Sequence, residues 1–182
     1  MRPLKIAAIA AGTVGLILLG FLTIGFLLPS TWETERSIWI EAESDEVFRY
    51  LDSAAEWQRW TPAPDSGTEL YGPDRGVGSG RIWDDPGYGK GQFEITGSVP
   101  STTVEYRVEV EGGAIEIEGT MRLTQEEGGT RVLWRERGDF GRNPLLGYIA
   151  GRMEEMQGDQ LDASLGSLRR LVEEGLEIEP ES

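Results

Sequence analysis

The sequence predicts an α+β domain in which one long C-terminal helix packs on a single curved antiparallel sheet, preceded by one transmembrane helix. Three observations carry this prediction. Residues 6–28 form an uncharged apolar segment, residues 34–137 alternate apolar and polar side chains in short runs, and residues 144–174 repeat apolar side chains at helical spacing. A chain of 182 residues has room for one globular domain with an appendage.

The N-terminal segment is long enough to cross a bilayer. Ile6 to Leu28 is 23 residues without a charge. As a helix it would span about 34 Å, against a hydrocarbon core of roughly 30 Å. The alternative is a cleaved signal peptide, because Arg2 and Lys5 precede the apolar run. The run exceeds the usual apolar region of about 7 to 15 residues and ends without a small-x-small cleavage site, so we expect an uncleaved anchor over residues 1–29.

The charges on either side of this segment predict its orientation. Arg2 and Lys5 lie before it, and Glu33 and Glu35 follow it. The positive-inside rule then places the N-terminus in the cytoplasm and the globular domain outside, as an extracytoplasmic domain of a single-pass membrane protein. This orientation rests on two basic residues. A chain without cysteine is compatible with either redox compartment, so the cysteine content does not test the orientation.

Composition excludes several classes of chemistry. The chain carries 32 acidic and 17 basic residues, a formal net charge of −15, and neither His nor Cys. Such a charge repels nucleic acid, and without His or Cys there is no Ser-His-Asp triad, thiolate nucleophile or common zinc site. The glycine-rich residues 76–80 precede a strand rather than a helix, and the acidic pairs 84–85 and 154–155 lack calcium-loop spacing. We predict no metal, no cofactor and no nucleic-acid partner, and leave the oligomeric state open.

The globular domain, residues 30–175, begins with a strand and two short helices. Ser44 is placed to cap a helix ending near Leu51, and Ser53 with Glu56 matches a capping box that opens a second helix ending near Trp60. One face of the later strands is apolar and the other charged, typical of an antiparallel sheet with one solvated side. Short glycine-containing connections favour a meander. The predicted strands are 34–41, 68–71, 80–83, 91–99, 102–110, 114–124 and 130–137.

The closing helix is predicted from Pro144 to about Glu174, followed by an acidic tail over residues 176–182. Its apolar positions step by three and four residues and then, around Gly158, by five. At about 100° per residue this slip rotates the apolar stripe by roughly 90°. Asp159 could cap a fresh start, so the pattern predicts a break or kink at Gly158 and two helices in place of one. The apolar positions are Leu145, Ile149, Met153, Met156, Leu161, Leu165, Leu168 and Val172.

The order strand, two short helices, six strands and long helix is that of the helix-grip fold, and the chain resembles the bacterial polyketide-cyclase-type members of the START-like (SRPBCC) superfamily. The resemblance covers residues 34–174. Glu43 departs from it, because such proteins often carry a proline there. The matching residues are Arg36-Ser37-Ile38-Trp39-Ile40, Glu46-Val47-Phe48, Leu51-Asp52, Trp57, Trp60, Gly78-Ser79-Gly80, Trp83, Gly89-Lys90-Gly91, Pro100, Gly129-Thr130-Arg131-Val132, Trp134, Met156, Gly158-Asp159 and Leu165-Gly166-Ser167-Leu168-Arg169-Arg170-Leu171.

The resemblance implies a cavity between sheet and C-terminal helix that takes a hydrophobic ligand such as a lipid, sterol or polyketide. Large rings and flexible thioethers suit such a ligand, and equally suit a filled core. Tyr106 carries a hydroxyl on an inward face and is the best candidate to orient a ligand. The candidate ligand-binding residues are Trp57, Trp60, Trp83, Phe93, Tyr106, Met121, Trp134, Met153 and Met156.

Glu136 is the one candidate catalytic residue, because alternation places it on the inward face with Val132 and Trp134. In an apolar pocket its pKa would be raised and it could act as acid or base. At the strand end, beside Gly138, it would instead meet water, and the rarity of buried carboxylates favours this second interpretation.

Three functions follow as hypotheses. The leading one is a membrane-anchored domain that binds or carries a hydrophobic small molecule, without catalysis. The second is a cyclase or aldol-type enzyme that uses Glu136 as base and Tyr106 or a backbone donor to polarise a carbonyl. The third is a partner-binding module at the membrane surface, which predicts an exposed apolar patch and no internal cavity.

Overall fold

The computed structural model describes residues 2–64, 66–141 and 143–178, and the side chains of residues 11–175 within them. It confirms the α+β class, with a seven-stranded antiparallel sheet in the described part of the chain, short helices and a long C-terminal helix. The elements are α1 (Arg2–Leu27), β1 (Thr31–Ile40), α2 (Ser44–Leu51), α3 (Ala54–Trp57), β2 (Thr68–Tyr71), β3 (Gly80–Asp85), β4 (Gly89–Val99), β5 (Thr103–Val110), β6 (Ile115–Glu126), β7 (Gly129–Asp139) and α4 (Gly147–Ile178).

The sheet is a meander with one long-range pairing. Strands β2 to β7 pair in sequence order, and β1 pairs with β7, giving the order β1-β7-β6-β5-β4-β3-β2. One face packs against α4, α2 and α3. The predicted alternation holds on β5, where Val104 and Tyr106 are buried while Glu105 and Arg107 are exposed.

The short helices begin differently from the prediction. The residue before α2 is Glu43, whose backbone N–H donates to Glu46 Oε2 at 3.1 Å. Ser44 is therefore the first residue of α2, and its backbone N–H and hydroxyl both bind Gln125 Oε1, at 2.9 and 2.8 Å. Helix α3 has four residues, and its preceding Ser53 makes no capping hydrogen bond. Helix α2 thus has a local capping box formed by Glu43 and Glu46, whereas at the start of α3 the N–H of Ala54 donates to the distant Ser79 Oγ at 3.1 Å.

Helix α4 runs unbroken through Gly158, so the predicted division into two helices is wrong. Gly158 is buried, and a Cβ there would overlap the guanidinium of Arg36, which lies across the helix and pairs with Asp162 at 3.0 Å. The absence of a side chain at Gly158 thus allows the Arg36 guanidinium to approach the helix closely. The apolar phase slip needs no break, because the two stripes have different surroundings: Leu161 is in the main core, whereas Met156 is exposed.

The ends of α4 also differ from the prediction. The helix starts at Gly147, after a turn in which Asn143 Oδ1 accepts the N–H of Leu145 at 3.0 Å. It continues to Ile178, past the predicted end at Glu174. Part of the predicted acidic tail is therefore helical, and residues 179–182 lie outside the described residues.

The N-terminal segment forms α1, which packs on the start of α4. The rings of Phe21 and Tyr148 stack at 4.4 Å, and the Tyr148 hydroxyl donates to the Phe21 carbonyl at 2.6 Å. Within the part of the chain that is described, no helix has the length and apolarity needed to cross a membrane. The side chains of residues 2–10, including the two basic residues used for orientation, lie outside the described ones. The membrane anchor stays a prediction.

Candidate functional site

A cavity of about 190 Å³ lies between the inner face of the sheet and α4. Strands β3 to β7 form its floor, α3 with the segment after it forms one wall, and α4 covers it. Apolar and aromatic side chains dominate the lining, with a few polar groups among them, as is typical of small-molecule sites. The lining residues are Trp57, Thr61, Pro62, Arg81, Trp83, Tyr88, Phe93, Tyr106, Val108, Val110, Ile117, Trp134, Glu136, Gln157, Gln160 and Ser164.

Trp57 is the centre of the aromatic wall. Its ring lies 4.8 Å from Phe93, 4.7 Å from Tyr106 and 5.7 Å from Trp134, in tilted or edge-on arrangements that aromatic pairs favour. Its indole N–H donates to the Leu51 carbonyl at 2.7 Å. Because the indole N–H of Trp57 already donates to a carbonyl of α2, the ring presents an apolar and rigid face to the cavity.

Tyr106 and Glu136 form a buried pair across β6. Gly119 is paired with Tyr106 on one side and with Glu136 on the other. A Cβ at Gly119 would overlap the Tyr106 ring, so the absence of a side chain lets the phenol cross β6. The Tyr106 hydroxyl then donates a short hydrogen bond to Glu136 Oε1.

Two further donors complete this network. Trp134 Nε1 donates to the Tyr106 hydroxyl at 2.7 Å, and Gln157 Nε2 donates to Glu136 Oε2 at 2.8 Å. The first donor comes from β7 and the second from α4. The helix therefore holds the carboxyl from the side opposite the sheet, and each carboxyl oxygen has a hydrogen-bond donor.

Burial dominates the electrostatics of the pair. Glu136 is 5% exposed, so the favoured interpretation of a solvated strand end is wrong. Burial raises the pKa of the Glu136 carboxyl, and the hydrogen bonds from Tyr106 and Gln157 offset this only in part. Burial, followed by the charge of Glu136, raises the pKa of the Tyr106 phenol well above its ordinary value. A carboxyl of this kind can exchange a proton with a bound molecule.

The opposite wall carries Arg81 and Trp83. They share the inward face of β3, while Ile82 between them is exposed. The Arg81 guanidinium carbon lies 5.3 Å from the Phe93 ring centroid and 5.9 Å from that of Trp83, within the range of cation–π contact. Burial lowers the pKa of Arg81.

The structure brings six of the predicted site residues together around the cavity: Trp57, Trp83, Phe93, Tyr106, Trp134 and Glu136. Trp60 stacks behind them, 4.5 Å from Trp57, and Met121 is fully buried in the main core. Met153 packs in a separate small cluster with Trp32 and Phe140, and Met156 is 62% exposed. Neither methionine of α4 lines the cavity.

Sequence reasoning missed Arg81, Gln157 and Ser164. Arg81 stands two positions before Trp83 and so shares its face, a signal that was present in the sequence. Gln157 gave no such signal, because it lies inside the slip of the helical pattern. Among the described residues, no group of three or more His, Cys, Asp or Glu side chains is arranged to hold a metal ion.

The sheet, the short helices and the covering helix define a helix-grip protein with a ligand-sized cavity. Residues 31–173 match the family described as polyketide cyclase / dehydrase and lipid transport, and the chain belongs to that family. No curated protein matches the sequence.

Solved structures share the fold at low identity. DynU16, from the dynemicin biosynthetic locus, aligns with a TM-score of 0.58 at 17% identity, over 79% of this chain and 48% of that one. The di-domain aromatase/cyclase StfQ of the steffimycin pathway aligns with a TM-score of 0.62 at 11% sequence identity, over 81% of this chain and 52% of StfQ. Norcoclaurine synthase from Thalictrum flavum aligns with a TM-score of 0.62 at 14% sequence identity, over 80% of this chain and 96% of the synthase. The chain thus spans about half of DynU16 and StfQ, and these likenesses show the fold.

Proposed function

We propose that this protein binds or carries a hydrophobic small molecule, polyketide-like or lipid, in the cavity between the sheet and α4. The observation that carries the proposal is the cavity itself, ringed by Trp57, Phe93 and Trp134 and containing one buried polar pair. The alternative of a partner-binding module predicts no internal cavity, so the cavity favours small-molecule binding.

The dimensions of the cavity favour a compact ligand. An apolar cavity of about 150 Å³ accommodates benzene, whereas sites for drug-sized ligands span about 300 to 1,000 Å³. At about 190 Å³ this cavity suits a molecule of one or two fused rings. Tyr88, which is 46% exposed, lies at its rim and marks a route by which such a molecule enters.

Binding is tested on the full-length protein in lipid nanodiscs, which avoids detergent in the cavity. Native mass spectrometry identifies any copurified molecule, and calorimetric titration measures the binding of naphthalene derivatives. Val108→Phe fills the cavity and should abolish binding. Val99→Phe, at an exposed position on β4 outside the cavity, is the matched control. A protein that is empty and binds no naphthalene derivative would refute the proposal.

A cyclase or aldol-type activity is the second candidate, favoured by the buried Glu136 carboxyl in the cavity wall. As base, the Glu136 carboxylate would remove an α-proton from a bound ketone, the enolate would take a proton from solvent, and the Glu136 carboxyl would then release its proton to solvent. In D₂O the protein should then accelerate deuterium incorporation at the methyl group of 2-acetylnaphthalene. Glu136→Gln should stop this exchange and retain binding, whereas Glu118→Gln on the exposed face should leave it unchanged. Equal exchange rates for wild type and Glu136→Gln would exclude this role.

We further propose that residues 6–28 tether the domain to a membrane with the N-terminus cytoplasmic. The uncharged run and the exposed apolar side chains of α1, such as Leu16 and Phe26, support this proposal. Extraction of membranes with alkaline carbonate should leave the protein in the pellet. Protease added outside intact cells should digest the domain, and its protection would contradict the orientation.

A further inference from the structure

Arg81 is a buried cation on the cavity wall. It is 6% exposed and lies on the inward face of β3, while the apolar Ile82 beside it faces solvent. The strand therefore turns its charged residue inward and its aliphatic residue outward, the reverse of what burial energetics favour. A buried charged side chain is an informative departure from the usual pattern of burial.

Apart from cation–π contacts with Phe93 and Trp83, the guanidinium has no hydrogen-bond or ion-pair partner among the described residues. Its Nε and Nη1 groups are shielded from solvent and donate to no hydrogen-bond acceptor, and no carboxylate lies within ion-pair distance. Glu136, which lines the same cavity, is held by Tyr106 and Gln157. The indole N–H of Trp83 is also buried and unpaired. Buried charges in folded proteins are normally paired, because desolvation is costly otherwise.

We propose that the cavity ligand carries a carboxylate, which pairs with Arg81 and accepts a further hydrogen bond from Trp83 Nε1. This inference rests on the proposed function, that the cavity binds a hydrophobic small molecule. A planar carboxylate matches the fork of a guanidinium, and its apolar body would lie against Phe93 and Trp57. The ligand class is thus a compact aromatic or polycyclic carboxylic acid. The net charge of −15 disfavours anions elsewhere on the protein, so Arg81 makes the cavity the selective site.

The first test uses the wild-type full-length protein in nanodiscs of neutral lipid. Calorimetry at pH 7 compares 2-naphthoate with 2-naphthamide, which has the same shape and no charge. Charge-assisted hydrogen bonds predict that the carboxylate binds about tenfold or more tightly. This comparison requires no variant. Tighter binding of 2-naphthyl phosphate than of 2-naphthoate would overturn the carboxylate assignment.

The second test removes the cation. Arg81→Met keeps the length and apolar stem of the side chain and should abolish the preference for 2-naphthoate while 2-naphthamide still binds. Arg107→Met, on the exposed face of β5, is the matched control and should retain the preference. Equal binding of both probes to wild type would overturn the inference and leave the proposed function intact. Failure of both probes to bind would count against the proposed function itself.

Discussion

The hydroxyl of Tyr106 on β5 donates to the carboxyl of Glu136 on β7 by crossing β6 at Gly119. These residues are 30 positions apart in sequence. The contact joins the middle of the sheet to the carboxyl that α4 holds through Gln157. It is the polar centre of an otherwise aromatic cavity, and both its strength and its ionisation are open to experiment.

Gly119→Ala should break this contact. The new Cβ would overlap the Tyr106 ring, so the ring would have to shift and its hydroxyl would move away from Glu136. Overpacking of this kind costs about 1–3 kcal/mol in the free energy of unfolding, measured by urea denaturation. Gly166→Ala on α4, where a Cβ meets open space, is the control and should stabilise by up to about 1 kcal/mol. Equal effects of the two changes would contradict the crossing geometry.

Tyr106→Phe should destabilise the fold by about 1–3 kcal/mol, because Trp134 Nε1 and Glu136 Oε1 each lose a partner inside the core. Urea denaturation measures the loss. Tyr88→Phe, which removes an exposed hydroxyl, should change the stability by less than about 0.5 kcal/mol. A Tyr106→Phe variant as stable as wild type would show that the network contributes nothing to the fold.

Glu136 should make the fold less stable as the pH rises. Its folded-state pKa is raised above the ordinary value of 4.5, so the folded protein binds the proton more tightly than the unfolded chain. The stabilisation that protonated Glu136 gives the folded protein is fully present below the pKa of this carboxyl in the unfolded chain. It is lost as the pH rises through the pKa of Glu136 in the folded protein. The Tm of Glu136→Gln relative to wild type should therefore increase from about pH 4.5 upward. Glu118→Gln controls for removal of a surface charge, and a constant difference for Glu136→Gln would contradict the shift.

Arg81→Met should stabilise the protein in the absence of ligand. The change removes a buried and unpaired cation, whose desolvation costs several kcal/mol, at the loss of cation–π contacts with Phe93 and Trp83 worth about 1–2 kcal/mol. We expect a net gain of about 1–3 kcal/mol, seen as a higher Tm. The control Arg107→Met removes an exposed cation and should leave the Tm nearly unchanged. A lower Tm for Arg81→Met would mean that the guanidinium is stabilised within the protein.

The strands were predictable because each carries its own alternation. On β5, Val104 and Tyr106 are buried as predicted, and the neighbouring Glu105 is exposed. The alternation also placed Glu136 inward, and the rarity of buried carboxylates then argued for solvent at that position. That argument failed because the partners of Glu136 come from β5 and from α4, and a local pattern contains no information about them.

Helix α4 also shows that a local sequence pattern contains no information about long-range contacts. The phase slip at Gly158 predicted a break, because a helix with one continuous core should keep one apolar stripe. The structure instead packs Arg36 against the glycine and gives the two stripes different surroundings, so the helix continues. A glycine that breaks a helix and one that admits a neighbour look alike in sequence.

The sequence by itself determined the α+β class, the seven strands and the closing helix, because alternation, turn residues and helical spacing are local properties. It also determined that the cavity chemistry lacks His and Cys. Only the tertiary structure decided that Glu136 is buried beside Tyr106 and that Arg81 is buried without a hydrogen-bond or ion-pair partner. Burial and pairing of a polar side chain depend on neighbours brought from distant strands and from α4, and these neighbours exist only once the chain has folded.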